Sequence, residues 1–289
     1  MIRFADENTT HHVRRMWKEC FGDSERFLDI YFKYKYKPEN TLLYYEGENI
    51  AASLQMLPYT INFYGQEIPF AYLAGLNTLP EYRKKGYMAQ LIHEAHRIIA
   101  ERNIALAILI PAEEWLYGFY EKYGYEQVFQ SDDNSIPLKK IIDTYPDEKA
   151  AYREFDLLFR PLDFCIQKTE DDFKAIVEDF ISEGCPKKTN LSGMARIIDP
   201  WTLLEYYAKE NLKKEFNIKI VDKESDKSLV YYVDKGEVGL LLGPDATFDI
   251  EVDIRILCKL LFGYKIDELD EKFHPYFENH QPIMNLMLE

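Results

Sequence analysis

Between Leu73 and Arg102 the chain passes from an extended pattern to a helical one across a basic loop. Leu73 to Leu79 reads as a strand closed by Pro80, and Ala89 to Arg102 places Leu91, Ile92, Ala95, Ile98 and Ile99 on one helical face. Between them stand Arg83, Lys84, Lys85, Gly86, Tyr87 and Met88. A basic loop at the start of a helix has a physical consequence. The first helical turn leaves backbone N–H groups without partners, and the macrodipole adds partial positive charge there. A phosphate docks readily into such a turn. Gly86 lets backbone approach an oxygen closely, and the three cations add full charges. This is read as a pyrophosphate cradle; the alternative is a solvated basic turn. Neither GxxxxGK[ST] nor GxGxxG occurs, so the stretch is not a P-loop or a dinucleotide fingerprint.

The remaining sequence sets bounds. The chain has 289 residues, enough for two domains, and 47% hydrophobic with 15% aromatic residues suits a sizeable core. Heavy use of tyrosine and phenylalanine favours a sheet-rich or mixed protein. A formal net charge of -15 argues against nucleic acid as a general partner and suits a cationic substrate such as an amine. Cys20, Cys165, Cys185 and Cys258 are far apart and include no CxxC, so reduced thiols are expected rather than a zinc site or disulfide framework. Met1 to Asp6 lacks an apolar signal core and no run approaches a membrane span, so the expected location is cytoplasmic, without membrane contact.

In chain order, a strand at Ile2 to Phe4 precedes a helix through Val13, Met16, Trp17 and Phe21, then one through Phe27, Ile30, Tyr31 and Tyr34. Thr41 to Tyr45 and Ile50 to Leu57 flank a turn at Glu46-Gly47-Glu48. Tyr59 to Tyr64 and Glu67 to Leu73 flank Gly65-Gln66. The apolar run Ala105 to Ile110 reads as a buried strand, Glu113 to Lys122 as a short aromatic helix, and Tyr125 to Phe129 as a further strand. Strands followed by a βαβα pattern predict an α/β (α+β) domain, a mixed sheet flanked by helices.

The residues Arg83-Lys84-Lys85-Gly86-Tyr87-Met88 resemble the [QR]-x-x-G-x-[GA] signature of the GNAT acetyltransferases. Met88 departs from the small final residue; a bulkier one is tolerated in the enhanced-intracellular-survival branch. A second block, Phe119-Tyr120-x-x-Tyr123-Gly124-Tyr125, resembles the family's F-Y-x-x-x-G-[FY] pattern. The resemblance implies a GNAT fold and acetyl-CoA (coenzyme A) as cofactor. It implies cradle contacts from Arg83 to Met88 and main-chain contacts to the pantetheine arm from Leu76, Asn77 and Thr78. It places Tyr120 as the general acid that protonates the departing thiolate. An unperturbed tyrosine, with a pKa of about 10, holds its proton at neutral pH. Tyr117, Phe119 and Tyr123 are read as packing. His93, Glu94 and His96 share a solvated helix face, and Glu113 and Glu114 are either ligands for a cationic substrate or first-turn carboxylates.

Polar punctuation at 131–135 and 143–147 places the end of the acetyltransferase domain near 145. Residues 146–193 read as a helical connector, Glu148 to Arg160 and Glu170 to Ser182, too short for the middle module of the branch. Residues 194–289 read as a smaller α+β domain that opens with a strand at Ala195 to Pro200 leading into a helix through Trp201, Leu204 and Tyr207, followed by strands at Phe216 to Asp222, Ser228 to Val233, Glu237 to Gly243 and Thr247 to Val252 and a helix from Asp253 to Leu261. The stretches around Arg196 and Asp249 resemble a sterol-carrier-like domain, read as scaffold without a lipid role. The run from Asn279 to Glu289 is unusually apolar for a tail. Family resemblance implies that the terminal carboxylate, at Glu289, returns to the site as the catalytic base near Tyr120. The reading is an acetyl-CoA-dependent N-acetyltransferase acting on a primary amine of a small cationic molecule or of a lysine side chain in a peptide. The alternative is a non-catalytic acyl-CoA-binding sensor or assembly module. The oligomeric state stays open, homo-oligomer included.

Overall fold

The computed structural model describes residues 1–243 and 246–288. The first third is built from β1 (Ile2–Phe4), α1 (Thr10–Phe21), α2 (Glu25–Tyr34), β2 (Thr41–Glu46), β3 (Asn49–Phe63), β4 (Gln66–Thr78), α3 (Tyr87–Glu101) and β5 (Leu106–Leu109). Then come α4 (Glu114–Tyr120), β6 (Glu126–Phe129), α5 (Leu138–Thr144), α6 (Glu148–Phe159), β7 (Ile166–Gln167), α7 (Glu170–Ser182) and β8 (Gly193–Ile197). The last third holds α8 (Pro200–Glu210), β9 (Glu215–Asp222), β10 (Lys227–Asp234), β11 (Glu237–Leu241), β12 (Ile250–Asp253) and α9 (Ile254–Phe262). No helix among the described residues is long and apolar enough to cross a membrane.

The large mixed sheet runs β1-β2-β3-β4-β5-β8-β6, with β7 paired to β3. Its strands alternate between two cores. Leu106 and Ile108 join the cluster that includes α1 and α2, whereas Ala107 and Leu109 join that of α3 and α4. This is the period of two expected of a sheet covered on both faces. A smaller sheet, β11-β10-β9-β12, packs with α8 and α9. The α/β prediction holds, and a second sheet follows the first.

Three details differ from the sequence reading. Residues 50–57 and 59–64 form one strand, not two, because Pro58 falls where β3 lacks a second neighbour. The β2 pairing ends at Gln55 and β7 begins at Thr60. Likewise β4 is continuous through Leu73. Finally, β8, expected at the head of the second domain, lies in the large sheet between β5 and β6, so the boundary placed at 194 falls inside a strand. Its residues Gly193 to Ile197 are buried throughout, which only a position inside a sheet covered on both faces provides.

Helix ends follow local chemistry. Ser24 caps α2, Asp147 caps α6 and Thr169 forms a capping box with Asp172 at α7. Asp253 caps α9, whose other end turns at Gly263 with φ 62°. Glu126 of β6 receives both Arg255 at 2.7 Å and Lys259 at 3.2 Å, which pins α9 to the large sheet.

Candidate active site

The site begins where β4 and β5 part. Their parallel pairing is confined to Ala71–Ala107 and Tyr72–Ile108, so the strands diverge beyond Tyr72. On its other edge β4 carries an extra residue: Gln55 faces Ala74 while Ser53 already faces Asn77. The bulge turns at Gly75, with φ 57°. A Cβ there would sit 2.5 Å from Trp17 Cζ3 and 2.8 Å from Gln55 Nε2. Only glycine lets α1 press onto the bulge.

The bulge lines a cavity of about 320 Å³ with Trp17, Phe21, Asp23, Ala74, Leu76, Leu116, Tyr120 and Leu288 among its walls. Apart from Asp23, these groups are apolar or aromatic. The Asp23 carboxylate accepts the Trp17 indole N–H at 2.7 Å. Tyr120 is only 6% exposed, and burial pushes its phenol well above the ordinary tyrosine range. The group is therefore a proton holder at neutral pH and not a base. Ser53 Oγ, Gln55 Nε2 and Asn77 Oδ1 are buried beside the bulge with no protein partner. Such atoms are the usual places for bound water.

The loop ahead of α3 lines a second cavity, of about 280 Å³, with Thr78, Tyr82, Arg83, Lys84, Gly86, Tyr87, Met88, Ala89, Phe119 and Tyr123. Lys84 and Gly86 are left-handed, at φ 63° and 78°, and curl the backbone around Lys85. No side chain caps α3, and its first helical hydrogen bond to the cap is Gln90 N–H to Gly86 C=O at 3.2 Å. The N–H groups of Tyr87, Met88 and Ala89 belong to the first turn, where a helix offers them no intrahelical acceptor. A Cβ on Gly86 meets nothing within 4 Å. The turn is thus open to an anion, in the form a phosphate needs.

The predicted contact residues divide. Arg83 Nε donates to the Thr78 carbonyl at 3.1 Å, which ties the loop to the end of β4. Lys84 faces the loop cavity. Lys85 extends to Glu46 of β2 at 2.9 Å, so its charge is already matched. Tyr87 stacks on Tyr44 at 4.1 Å and its hydroxyl bonds to Glu46, which raises its pKa to about 12. Leu76 walls the first cavity and Thr78 the second. Asn77 points its amide back to the Gly75 carbonyl at 3.0 Å. Helix α4 and the turn after it line both cavities, Leu116 and Tyr120 the first and Phe119 and Tyr123 the second.

Other candidates lie elsewhere. His93 and His96 both reach Glu224 in the β9–β10 turn, at 2.7 and 3.3 Å, and line a separate cavity of about 520 Å³. His96 is buried against the Tyr125 hydroxyl at 3.0 Å, and burial lowers its pKa. Glu94 pairs with Arg97. Glu113 and Glu114 are exposed at the start of α4, where Glu113 accepts the Trp115 indole N–H. Glu289 lies outside the described residues.

Comparison with known proteins places this geometry. Residues 1–128 match the family model described as an acetyltransferase (GNAT) domain. These residues have the mixed sheet flanked by helices of the GNAT fold. The acetyltransferase fold extends over the whole chain in solved structures. A GCN5-related N-acetyltransferase from Anabaena variabilis is 16% identical, with a TM-score of 0.67 over 99% of this chain and 97% of that one. A probable N-acyltransferase from Enterococcus faecalis is 15% identical, with a TM-score of 0.63 over 99% of each chain. Eis1 from Mycobacterium abscessus is 11% identical, with a TM-score of 0.62 over 99% of this chain and 97% of that one. At these identities the likeness is one of fold. No curated protein matches the sequence. The match to an acetyltransferase (GNAT) domain covers residues 1–128 of the 289-residue chain. Sequence reasoning missed Trp17, Phe21, Asp23 and Leu288 as walls of its first cavity. Gly75 carried a signal, since an isolated glycine inside a strand pattern marks a bulge or a close approach.

Proposed function

We propose that the chain transfers an acetyl group from acetyl-CoA to a primary amine carried on an apolar or aromatic body. The observation that carries this reading is the open first turn of α3 beside the parted strands β4 and β5. Bound there, the cofactor supplies an acyl group on a thioester. The N–H groups of Tyr87, Met88 and Ala89, with Lys84 beside them, would hold its diphosphate. The parted β4 main chain at Leu76 to Thr78 would receive the pantetheine arm. The amine would enter the cavity under Trp17 and Phe21, and Tyr120 would hold a proton for the departing sulfur. The amine must lose its own proton first. The candidate base is Glu289, which follows Leu288, a residue in the wall of the same cavity.

The smaller sheet serves as scaffold in this reading. Its sterol-carrier-like character rests on the sequence resemblance around Arg196 and Asp249, with no lipid role assigned. A reducing, cytoplasmic setting suits four free cysteines. The domain limits 1–145, 146–193 and 194–289 stand as sequence limits, with β8 shared into the first sheet.

The deciding experiment incubates the protein with acetyl-CoA and a panel of aromatic, aliphatic and polycationic amines. Release of free thiol and a mass increase of one acetyl group on the amine are the expected results. Tight coenzyme A binding without transfer to any amine would favour the sensor reading instead.

A further inference from the structure

Residues 281–288 form no helix and belong to neither sheet, yet most of them are buried. The path is held by few bonds. Ile283 N–H donates to the Phe164 carbonyl at 2.8 Å, Ile166 N–H returns to the Ile283 carbonyl at 3.1 Å, and Leu191 N–H reaches the Met284 carbonyl at 2.8 Å. The last of these anchors is a side chain. Asn285 is fully buried; its Nδ2 donates to the Ile166 carbonyl at 3.0 Å, and its Oδ1 accepts from Lys168 Nζ at 2.6 Å. Beyond Asn285 no hydrogen bond holds the described residues. Leu288 lies three residues on, within about 10 Å of reach even when extended. It is 3% exposed and walls the cavity that Tyr120 also lines.

Lys168 is an unusual group to spend on an asparagine. It is 3% exposed, and Asn285 is its one hydrogen-bond acceptor among the described residues. The nearby carboxylate, Asp172, is paired with Lys35 and bonded by Thr169. Burial lowers the Lys168 pKa to about 7, against the pull of Asp172 and Cys165 and with the push of Lys35. A fully buried ammonium is destabilising unless its partner is fixed. The cost is localised at the point where the chain turns toward the acceptor cavity.

We propose that Lys168 is a positioning residue for the acetyl transfer: by fixing Asn285 it sets the course of residues 285–288 and so shapes the acceptor cavity beside Tyr120. The inference rests on the acetyltransferase reading of that cavity, and it adds residues that touch neither cofactor nor amine.

The test is a double-mutant cycle with Lys168→Met and Asn285→Leu in the full chain, read in three ways. The expected results are a loss of amine kcat/KM of about tenfold in each single variant and no further loss in the double variant. Coenzyme A affinity is expected to stay unchanged. Amide exchange at Ile283 and Leu191 is expected to rise in all three variants. Additive losses, or wild-type kcat/KM in Lys168→Met, would overturn the proposal. The exchange measurement separates it from the reading it rests on. If no amine is acetylated by the wild type, that reading fails. Unchanged exchange in Lys168→Met removes the anchor itself, whatever the turnover.

Discussion

A side chain on Gly75 would occupy space that Trp17 already fills, since a Cβ there falls 2.5 Å from Trp17 Cζ3. The two residues join α1 to the bulge of β4 and both line the cavity that Tyr120 also lines. Gly75→Ala must both strain a backbone at φ 57° and displace the indole or Gln55. Left-handed strain of about 1 kcal/mol and overpacking of about 2 kcal/mol make a loss of about 3 kcal/mol. Thermal unfolding should show it, together with a raised KM for the amine. An unchanged melting temperature would mean that the indole moves freely.

Tyr120→Phe removes one oxygen from a buried ring and leaves its packing against Phe119, 5.2 Å between centroids, intact. Coenzyme A affinity and melting temperature should therefore hold. The kcat should fall about 100-fold, the lower end of what a positioned general acid contributes. Burial raises the phenol's pKa, so tyrosine ionisation should not limit the wild-type rate at moderately alkaline pH. Wild-type kcat in the variant would remove Tyr120 from proton transfer.

Gly86 faces open space, so a side chain there meets no protein atom. Gly86→Asp keeps a residue type that tolerates the left-handed region better than most, and its melting temperature should move little. The carboxylate would nonetheless stand where a diphosphate is expected. A like charge at such a partly exposed place costs about 1.4 kcal/mol, or about tenfold in the coenzyme A dissociation constant. Isothermal titration with coenzyme A reads this directly, and unchanged affinity would mean that the loop is not the anion site.

What the sequence made legible was local. Strand, basic loop and helix around Gly86 follow from period and turn chemistry within some 30 residues. Helix α7 begins at Glu170 as expected because Thr169 and Asp172 cap it within one turn. Legibility failed where a partner is distant. Nothing in Gly193 to Ile197 marks which sheet the strand joins, and its neighbours Leu106 and Glu126 lie far away in sequence. Trp17 reads as an ordinary helix residue and Asp23 as part of the break between two helices until the bulge at Gly75 brings them to the cavity. Lys168 and Asn285 are 117 positions apart, and a lone lysine ahead of a capping threonine looks solvated. His93 and His96 read as a solvated face; His93 is exposed as expected, whereas His96 is buried, and both meet Glu224 of the β9–β10 turn.

The buried state of Lys168 makes stability depend on pH in a defined direction. In the unfolded chain the amine titrates near 10.4, and in the fold it titrates at about 7. Between those values the unfolded chain binds more protons, so unfolding becomes harder as pH rises through the window. Below pH 7 both states are protonated, and the full penalty of the buried charge weighs on the fold. A pKa difference of 1 between the two states corresponds to about 1.4 kcal/mol, so the rise amounts to several kcal/mol before relaxation is allowed for. The titratable groups around the ammonium are Asp172 on α7, Lys35 after α2, Cys165 just ahead of β7 and Tyr59 of β3, whose ring centre lies 5.5 Å away. All four are retained in Lys168→Met, so their own titrations largely cancel in a comparison of the two proteins. The variant exchanges a buried charge for a thioether of similar length and loses the bond to Asn285. Relative to wild type it should be at its most stable near pH 6, and the advantage should shrink steadily as pH is raised to 10. Urea unfolding at a series of pH values measures that difference. A gap that is flat with pH, or that widens toward alkaline pH, would mean that Lys168 keeps its charge in the fold.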